Sequence, residues 1–388
     1  TSFSENFSSA TYKNSSTTGV WHVDPDGGFG EISRNLTDGW ISNSTLEVFD
    51  GLSTPTAKGV MLSPTFDWNP AVDCSVTPDA CTMFVAGRGI WRSQNRGTSW
   101  TNISDGPAAA DIPATLYLDV VISPTYTTDH ALFVRGSGKG IYKTSDANVA
   151  SPSWAQVDCA AGGSGCANAS VRTFSLANDY NDDVGVCGAS NCTILLGADD
   201  GAYYTINKGS TWVVYASVNA AHAGTDSIDQ ILASPNFSTD FGLYVLFEDD
   251  VIIQSVDGGT SWCTVTGLPA APVLHMALSP DHNAGGTPDG AVFVTYKRAA
   301  SATDDLYKST ASAALCTVPA WSTIDVITGA NIFQGVSIAF HPSYNEGVIG
   351  SQTMYLSTGT SGAGTYRSTN GGSGWTATCR RGSTAGSG

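Results

Sequence analysis

Residues 255–262 read S-V-D-G-G-T-S-W and follow a short apolar run, Val251-Ile252-Ile253. The stretch recurs. Residues 93–100 read S-Q-N-R-G-T-S-W, 205–212 read T-I-N-K-G-S-T-W, and 368–375 read S-T-N-G-G-S-G-W. Looser copies end at Trp154 and Trp321, and another, S-R-N-L-T-D-G-W, ends at Trp40. The closing residues are Trp40, Trp100, Trp154, Trp212, Trp262, Trp321 and Trp375, spaced 50 to 60 residues apart. A period of that size marks a repeat architecture.

Each repeat carries the same order of signals. An apolar strand ends in a Ser-Pro turn: V-M-L-S-P (60–64), V-V-I-S-P (120–124), I-L-A-S-P (231–235), M-A-L-S-P (276–280) and I-A-F-H-P (338–342). An aromatic and then an acid often follow, as in Tyr126/Asp129, Phe237/Asp240 and Tyr344/Glu346. A second apolar strand comes next, a third leads into the tryptophan stretch, and a fourth leaves it. Four short strands repeated seven times predict an all-β, seven-bladed β-propeller of four-stranded antiparallel blades, with six blades as the alternative. No sustained helical periodicity competes with it. The expected organisation is a polar arm at 1–17, one propeller at 18–380 and a Gly/Ser tail at 381–388. The first repeat lacks an apolar strand ahead of Val20, so its sheet reads as incomplete.

The S-x-D-x-G-x-[TS]-W copies resemble the Asp-box, or BNR, repeat of sialidases, sortilin-type receptors and xyloglucanase-like glycosidases. That resemblance implies a structural turn between third and fourth strands. The chemistry of the turn agrees. Asp257 and Asn207 can accept turn amides, glycine can take a positive φ, and tryptophan can pack between blades.

The chain has 388 residues and a formal charge of −17, from 17 basic against 34 acidic residues. Such a chain repels phosphate, which argues against nucleic acid and anionic membranes as partners. No apolar run approaches the roughly 20 residues needed to span a bilayer. Cys74/Cys81, Cys159/Cys166 and Cys187/Cys192 are close pairs in small loops. They read as disulfides and point to an extracellular location. Cys263, Cys316 and Cys379 remain, and an odd number leaves at least one unpaired within the chain. Sequons at Asn6, Asn14, Asn35, Asn43, Asn102, Asn168, Asn191 and Asn236 fit a secreted glycoprotein.

The sialidase-type F/Y-R-I-P signature is absent. Arg92 and Arg367 precede tryptophan stretches at the place held elsewhere by Lys143 and Lys308, which predicts solvated strand positions. An inverting glycosidase needs two carboxylates roughly 6.5–9.5 Å apart. Asp119 and Asp229 on the inner strands are the candidates, with His275 at a comparable place and plain channel-lining roles as the simpler expectation. Asp179, Asp182 and Asp183, in N-D-Y-N-D-D (178–183), form an oxygen-rich loop with the chemistry for Ca²⁺, although a solvated turn is the simpler reading. No other cofactor is implied. The expectation is a secreted, non-enzymatic structural or surface protein that self-associates, as in a filament, through its arm, tail or odd cysteine. A glycan-active propeller and a receptor-like protein-binding propeller are the alternatives.

Overall fold

The second strands of the repeats are apolar on both faces. Met83–Ala86, Ile194–Ala198, Leu243–Phe247 and Val292–Tyr296 are buried throughout their length. A strand with no polar face needs cover on both sides, which packing between adjacent sheets supplies. Each large apolar side chain so buried contributes about 1.5–3 kcal/mol.

In a computed structural model, the chain is described over residues 73–380 apart from several internal loops, the longest being 159–169. Before residue 73 only the strand residues 47–48, 57–58 and 60–62 are described. The described residues form six four-stranded sheets, each in sequential strand order, plus one two-stranded pair between Glu47–Val48 and Ala57–Lys58. The four-stranded sheets occupy residues 60–102, 117–156, 171–214, 228–264, 273–324 and 335–380 and are numbered here as blades 1 to 6. Blade 4 is representative. Ile228–Ala233, Leu243–Phe247, Ile252–Ser255 and Cys263–Thr264 pair antiparallel in turn. The described count is thus six rather than seven. The seventh expected blade rested on the Trp40 stretch, which lies outside the described residues, as do the arm and the tail.

The chain packs as two compact units. One comprises Thr1–Val171, Asp179–Ile194 and Thr205–Val213, and the other Arg172–Asn178, Leu195–Tyr204 and Val214–Gly388. Each has its own apolar cluster, built around Phe84, Tyr126 and Leu132 in the first and Leu195, Val245 and Phe247 in the second.

The recurrent stretch is a turn held by its own side chains. Ser255 Oγ donates to Asp257 Oδ1 at 2.8 Å and accepts from the Gly259 amide at 2.8 Å, while the Ser261 amide donates to Asp257 Oδ1 at 2.9 Å. Ser93/Asn95, Thr205/Asn207 and Ser368/Asn370 repeat the pattern. Two successive residues take positive φ, Gly258 at 70° and Gly259 at 87°. The first tolerates a side chain, as Arg96 and Lys208 show. The second does not, because a Cβ on Gly259 would stand 2.2 Å from the Tyr215 ring. The tryptophans fasten adjacent sheets. Trp154 Nε1 donates to the Ile103 carbonyl at 2.8 Å and Trp212 Nε1 to that of Val157 at 2.9 Å.

The Ser-Pro turns are a second fastening. Asp129 Oδ2 accepts from Ser123 Oγ at 2.6 Å within its own blade and from the Asp182 amide of the next at 2.9 Å. Asp240 likewise takes Ser234 Oγ at 2.6 Å and the Ala284 amide at 2.7 Å. Asp281 takes Ser279 Oγ and the Glu346 amide, both at 2.6 Å.

The positions preceding the tryptophan turns correct an expectation. They are not solvated. Arg92 is 5% exposed, and Lys143 and Lys308 are ion-paired to Asp182 and Glu346. Arg367 is half-buried. These strands carry their side chains into the seam between sheets, where only the long cation's stem is apolar.

Candidate functional site

The inner strands of blades 2, 4, 5 and 6 share a register break near their start. It falls between Tyr117 and Asp119, Ile228 and Gln230, Val273 and His275, and Gly335 and Ser337. A bulge of one residue re-aims the side chains around it. Asp119 is therefore the counterpart of Gln230, His275 and Ser337, whereas Asp229 is the bulged residue itself. The two candidate aspartates occupy different registers.

Each is engaged by an arginine. Asp119 Oδ2 accepts from Arg135 Nε at 2.5 Å, directly across the strand pair. Asp229 Oδ1 accepts from Arg172 Nη2 at 2.9 Å, and the same guanidinium donates to Glu248 Oε2 at 3.1 Å and reaches Asp199 Oδ1 at 3.5 Å. One cation thus serves three carboxylates. Burial pushes the Asp229 carboxyl above its ordinary range, and Glu248 and Asp250 add to that against the opposing pull of Arg172. His275 is held neutral: burial pushes its imidazole down to about 4. Gln230 uses its side chain as a strand mimic, accepting from the Met276 amide at 2.8 Å and donating to the Met276 carbonyl at 2.9 Å. The inner strands therefore carry fastening groups as well as charges.

The oxygen-rich loop is a turn that is only partly solvated: Asp183 is exposed, but its neighbours are engaged. Tyr180 is fully buried, and the Asp182 side chain is 5% exposed. Asp182 Oδ1 accepts from Lys143 Nζ at 2.7 Å and Tyr180 Oη at 2.8 Å, and Oδ2 accepts from Ser145 Oγ. Asp179 Oδ2 accepts from Ser190 Oγ at 2.5 Å, and the Asp183 amide donates to Asn181 Oδ1 at 2.9 Å. The cation that meets Asp182 here is the Lys143 ammonium, while Asp179 Oδ1 is buried without a partner. Among the described residues no group of three His, Cys, Asp or Glu side chains is placed to hold a metal ion. The Lys143–Asp182–Tyr180 set recurs as Lys308–Glu346–Tyr344, with Tyr344 Oη donating to Glu346 Oε2 at 2.5 Å. The aromatic-then-acid pattern after the Ser-Pro turns was the visible signal for it. Its cation is remote in sequence and was not.

Cys74–Cys81 and Cys187–Cys192 are disulfides, with Cα atoms 5.7 and 5.5 Å apart. Cys263 is disulfide-bonded too, which removes it from the unpaired set. Cys159, Cys166, Cys316 and the side chain of Cys379 lie outside the described residues. These bonds fit an oxidising environment. No described helix is long and apolar enough to cross a membrane. Of the sequons, Asn102, Asn191 and Asn236 are described. Asn236 Nδ2, the atom a glycan would be attached to, donates to the His282 carbonyl at 2.6 Å. Asn102 Oδ1 accepts from Ser104, and Asn191 Oδ1 from the Gly188 amide. Asn6, Asn14, Asn35, Asn43 and Asn168 are outside the described residues.

No family model and no curated protein matches the sequence. Solved structures do. The GH74 xyloglucanase from Xanthomonas campestris is 17% identical, with a TM-score of 0.54 over 87% of this chain and 46% of that one. The GH74 enzyme of Niastella koreensis is 14% identical, with a TM-score of 0.52 over 90% of this chain and 54% of that one. YCF48 bound to the D1 peptide is 13% identical, with a TM-score of 0.50 over 77% of this chain and 79% of that one. This chain spans about half the length of the two GH74 structures. At such identities the likeness establishes the fold, an all-β β-propeller of four-stranded antiparallel blades.

Proposed function

We propose that this chain is a secreted, non-catalytic β-propeller, a structural or surface protein of the Asp-box type that works by binding protein, in the first instance other copies of itself. The observation that carries the non-catalytic reading is the engagement of both candidate aspartates. A glycosidase acid must hold a proton and its partner must face a water or the sugar. Asp119 is neutralised by Arg135, and Asp229 shares Arg172 with Glu248 and Asp199. Association is supported by apolar side chains left in solvent on loops between first and second strands. Ile349 is 96% exposed, Val186 84% and Val76 74%. Nine cysteines leave at least one for a bond to another chain.

The test has two arms. Turnover of a polysaccharide panel that includes xyloglucan is expected to be nil. Turnover abolished by Asp119→Asn or Asp229→Asn overturns the reading in favour of a glycan-active enzyme, the reading favoured by the likeness to GH74 structures. Electron microscopy and sedimentation of native material are expected to show assemblies that Ile349→Ser with Val186→Ser weakens. A monomer at all concentrations removes the self-association, and pull-down from the native surface then distinguishes a receptor-like role.

A further inference from the structure

The Ser-Pro turns, with His341-Pro342 in their place in blade 6, follow the ends of the inner strands, whereas Asp229 stands near the start of one. In the second unit three of these turns, from blades 4, 5 and 6, wall an open pocket of about 550 Å³. Asn236 comes from blade 4, Pro280 and Asp281 from blade 5, and Asn345 and Val348 from blade 6. The pocket therefore lies at the opposite end of the blade 4 inner strand from Asp229.

Two of its amides are only half used. Asn236 holds the place of Thr125 in blade 2, the second residue after the turn serine. Thr125 Oγ1 reaches the Tyr180 carbonyl of the next blade at 3.0 Å, and Asn236 Nδ2 donates to the His282 carbonyl of its own next blade at 2.6 Å. A hydroxyl suffices for that fastening. An amide brings an oxygen as well, and Asn236 Oδ1 has no hydrogen-bond partner among the described residues. The carbonyl facing Nδ2 fixes which way this amide points. Asn345 is arranged the other way round. Its Oδ1 accepts from the Gly347 amide at 2.9 Å, and its Nδ2 has no partner among the described residues. Both residues are half-buried, and neither free atom is sealed from solvent. Blade 4 thus offers an open acceptor and blade 6 an open donor.

The occupant follows from these groups. It must give a hydrogen bond to Asn236 Oδ1 and take one from Asn345 Nδ2, and hydroxyls do both. Asp281 carries the one formal charge on the pocket wall, and it is negative, which opposes an anion. Its two oxygens already accept from Ser279 Oγ and the Glu346 amide, each at 2.6 Å, so no bare carboxylate waits for an ammonium. Pro280 and Val348 add an apolar side, which suits the C–H face of a sugar ring. A volume of about 550 Å³ is in the range that takes up small ligands. We propose that this pocket binds a neutral pyranose, with its hydroxyls on Asn236 and Asn345 and its ring against Pro280 and Val348. Two sources supply that chemistry. Asn236 opens the sequon N-F-S (236–238), so a glycan on its Nδ2 starts at the pocket wall. The other source is a saccharide that is free or carried by another copy. The site goes beyond the protein binding proposed above and does not rest on it.

The experiment is a ligand-observed NMR titration of the full chain, made in a host that does not N-glycosylate it. The probes are the methyl pyranosides of glucose, galactose, mannose and N-acetylglucosamine, against glycerol and sodium acetate as controls. At least one pyranoside is expected to bind saturably with a Kd of about 1 mM, and neither control to do so. Two variants keep the turns. Asn345→Asp retains the oxygen that accepts the Gly347 amide and removes the open donor. Asn236→Thr restores the Thr125 arrangement and removes the open acceptor. Each is expected to weaken the Kd about fivefold, and if one does not fold the other still decides. Binding of every pyranoside no stronger than that of glycerol overturns the proposal. So does a Kd that the folded variants leave unchanged, which would put the sugar elsewhere on the molecule. Glycopeptide mass spectrometry of native material separates the sources: a glycan on Asn236 makes the occupant the chain's own, and a bare Asn236 makes it a free saccharide or one from another copy.

Discussion

Removing the Asp182 carboxylate tests whether the seams or the blade interiors hold this propeller together. Asp182→Ala takes away the counter-ion of Lys143, whose side chain is 15% exposed, and the acceptor of the buried Tyr180 hydroxyl and of Ser145. Breaking one side of a buried ion pair costs roughly 3–5 kcal/mol, against a total stability of about 5–15 kcal/mol. Replacing both charges by apolar groups of similar size is far cheaper. Urea unfolding followed by tryptophan fluorescence is therefore expected to show a loss of about 4 kcal/mol for Asp182→Ala, and a smaller loss for Lys143→Met combined with Asp182→Leu. The sign of the pH effect follows from the folded carboxyl. Burial pushes it up, but the Lys143 and Ser145 hydrogen bonds and the Lys143 charge outweigh burial and hold it below its ordinary value. Its contribution is thus complete above about pH 4, the unfolded value, and is lost as pH falls through the lower folded value. A single-variant loss under about 1 kcal/mol would place the pair with exposed ion pairs and refute the reasoning. A double variant as unstable as the sum of the singles would do the same.

Two further outcomes follow from the geometry. Gly259→Ala is expected to cost about 2–4 kcal/mol, because its φ of 87° is joined by a clash with Tyr215, while Gly258→Ala, at 70° with open space around it, costs about 1 kcal/mol; equal losses from the two variants in chemical denaturation would remove the packing argument. His282 is fully buried and paired with Tyr244 Oη at 2.8 Å; burial pushes its imidazole down to about 4, against the opposing charges of Asp240 and Asp281. A depressed histidine stabilises above the unfolded value near 6.5 and loses that contribution as pH falls towards 4, up to roughly 3 kcal/mol here. His282→Gln is expected to flatten the stability profile between pH 6.5 and 4, and a profile as steep as the parent's would contradict the assignment.

The repeated turn was legible because its causes are local. Ser255, Asp257, Gly259 and Trp262 act within eight residues, so the same types must recur wherever the same turn recurs. The strands of blades 1 to 6 followed from the same logic, since each continuous apolar run ends at a turn residue. The seams were half legible. Tyr344 and Glu346 stand two residues apart, but Lys308 comes 38 residues earlier and is recognisable only once the blades are side by side. For that reason Arg92 and Lys143 looked alike and solvated, although one is ion-paired and the other is not. The inner-strand aspartates were partly legible. Asp119 stands four residues before Ser123 and Asp229 five before Ser234, so their different registers can be read from the spacing to the Ser-Pro turn. That Asp229 is itself the bulged residue cannot, because a bulge changes no residue type. What separates an active-site acid from a fastened one is the partner that meets it, and here the partners, Arg135 and Arg172, come from neighbouring strands rather than from neighbouring sequence.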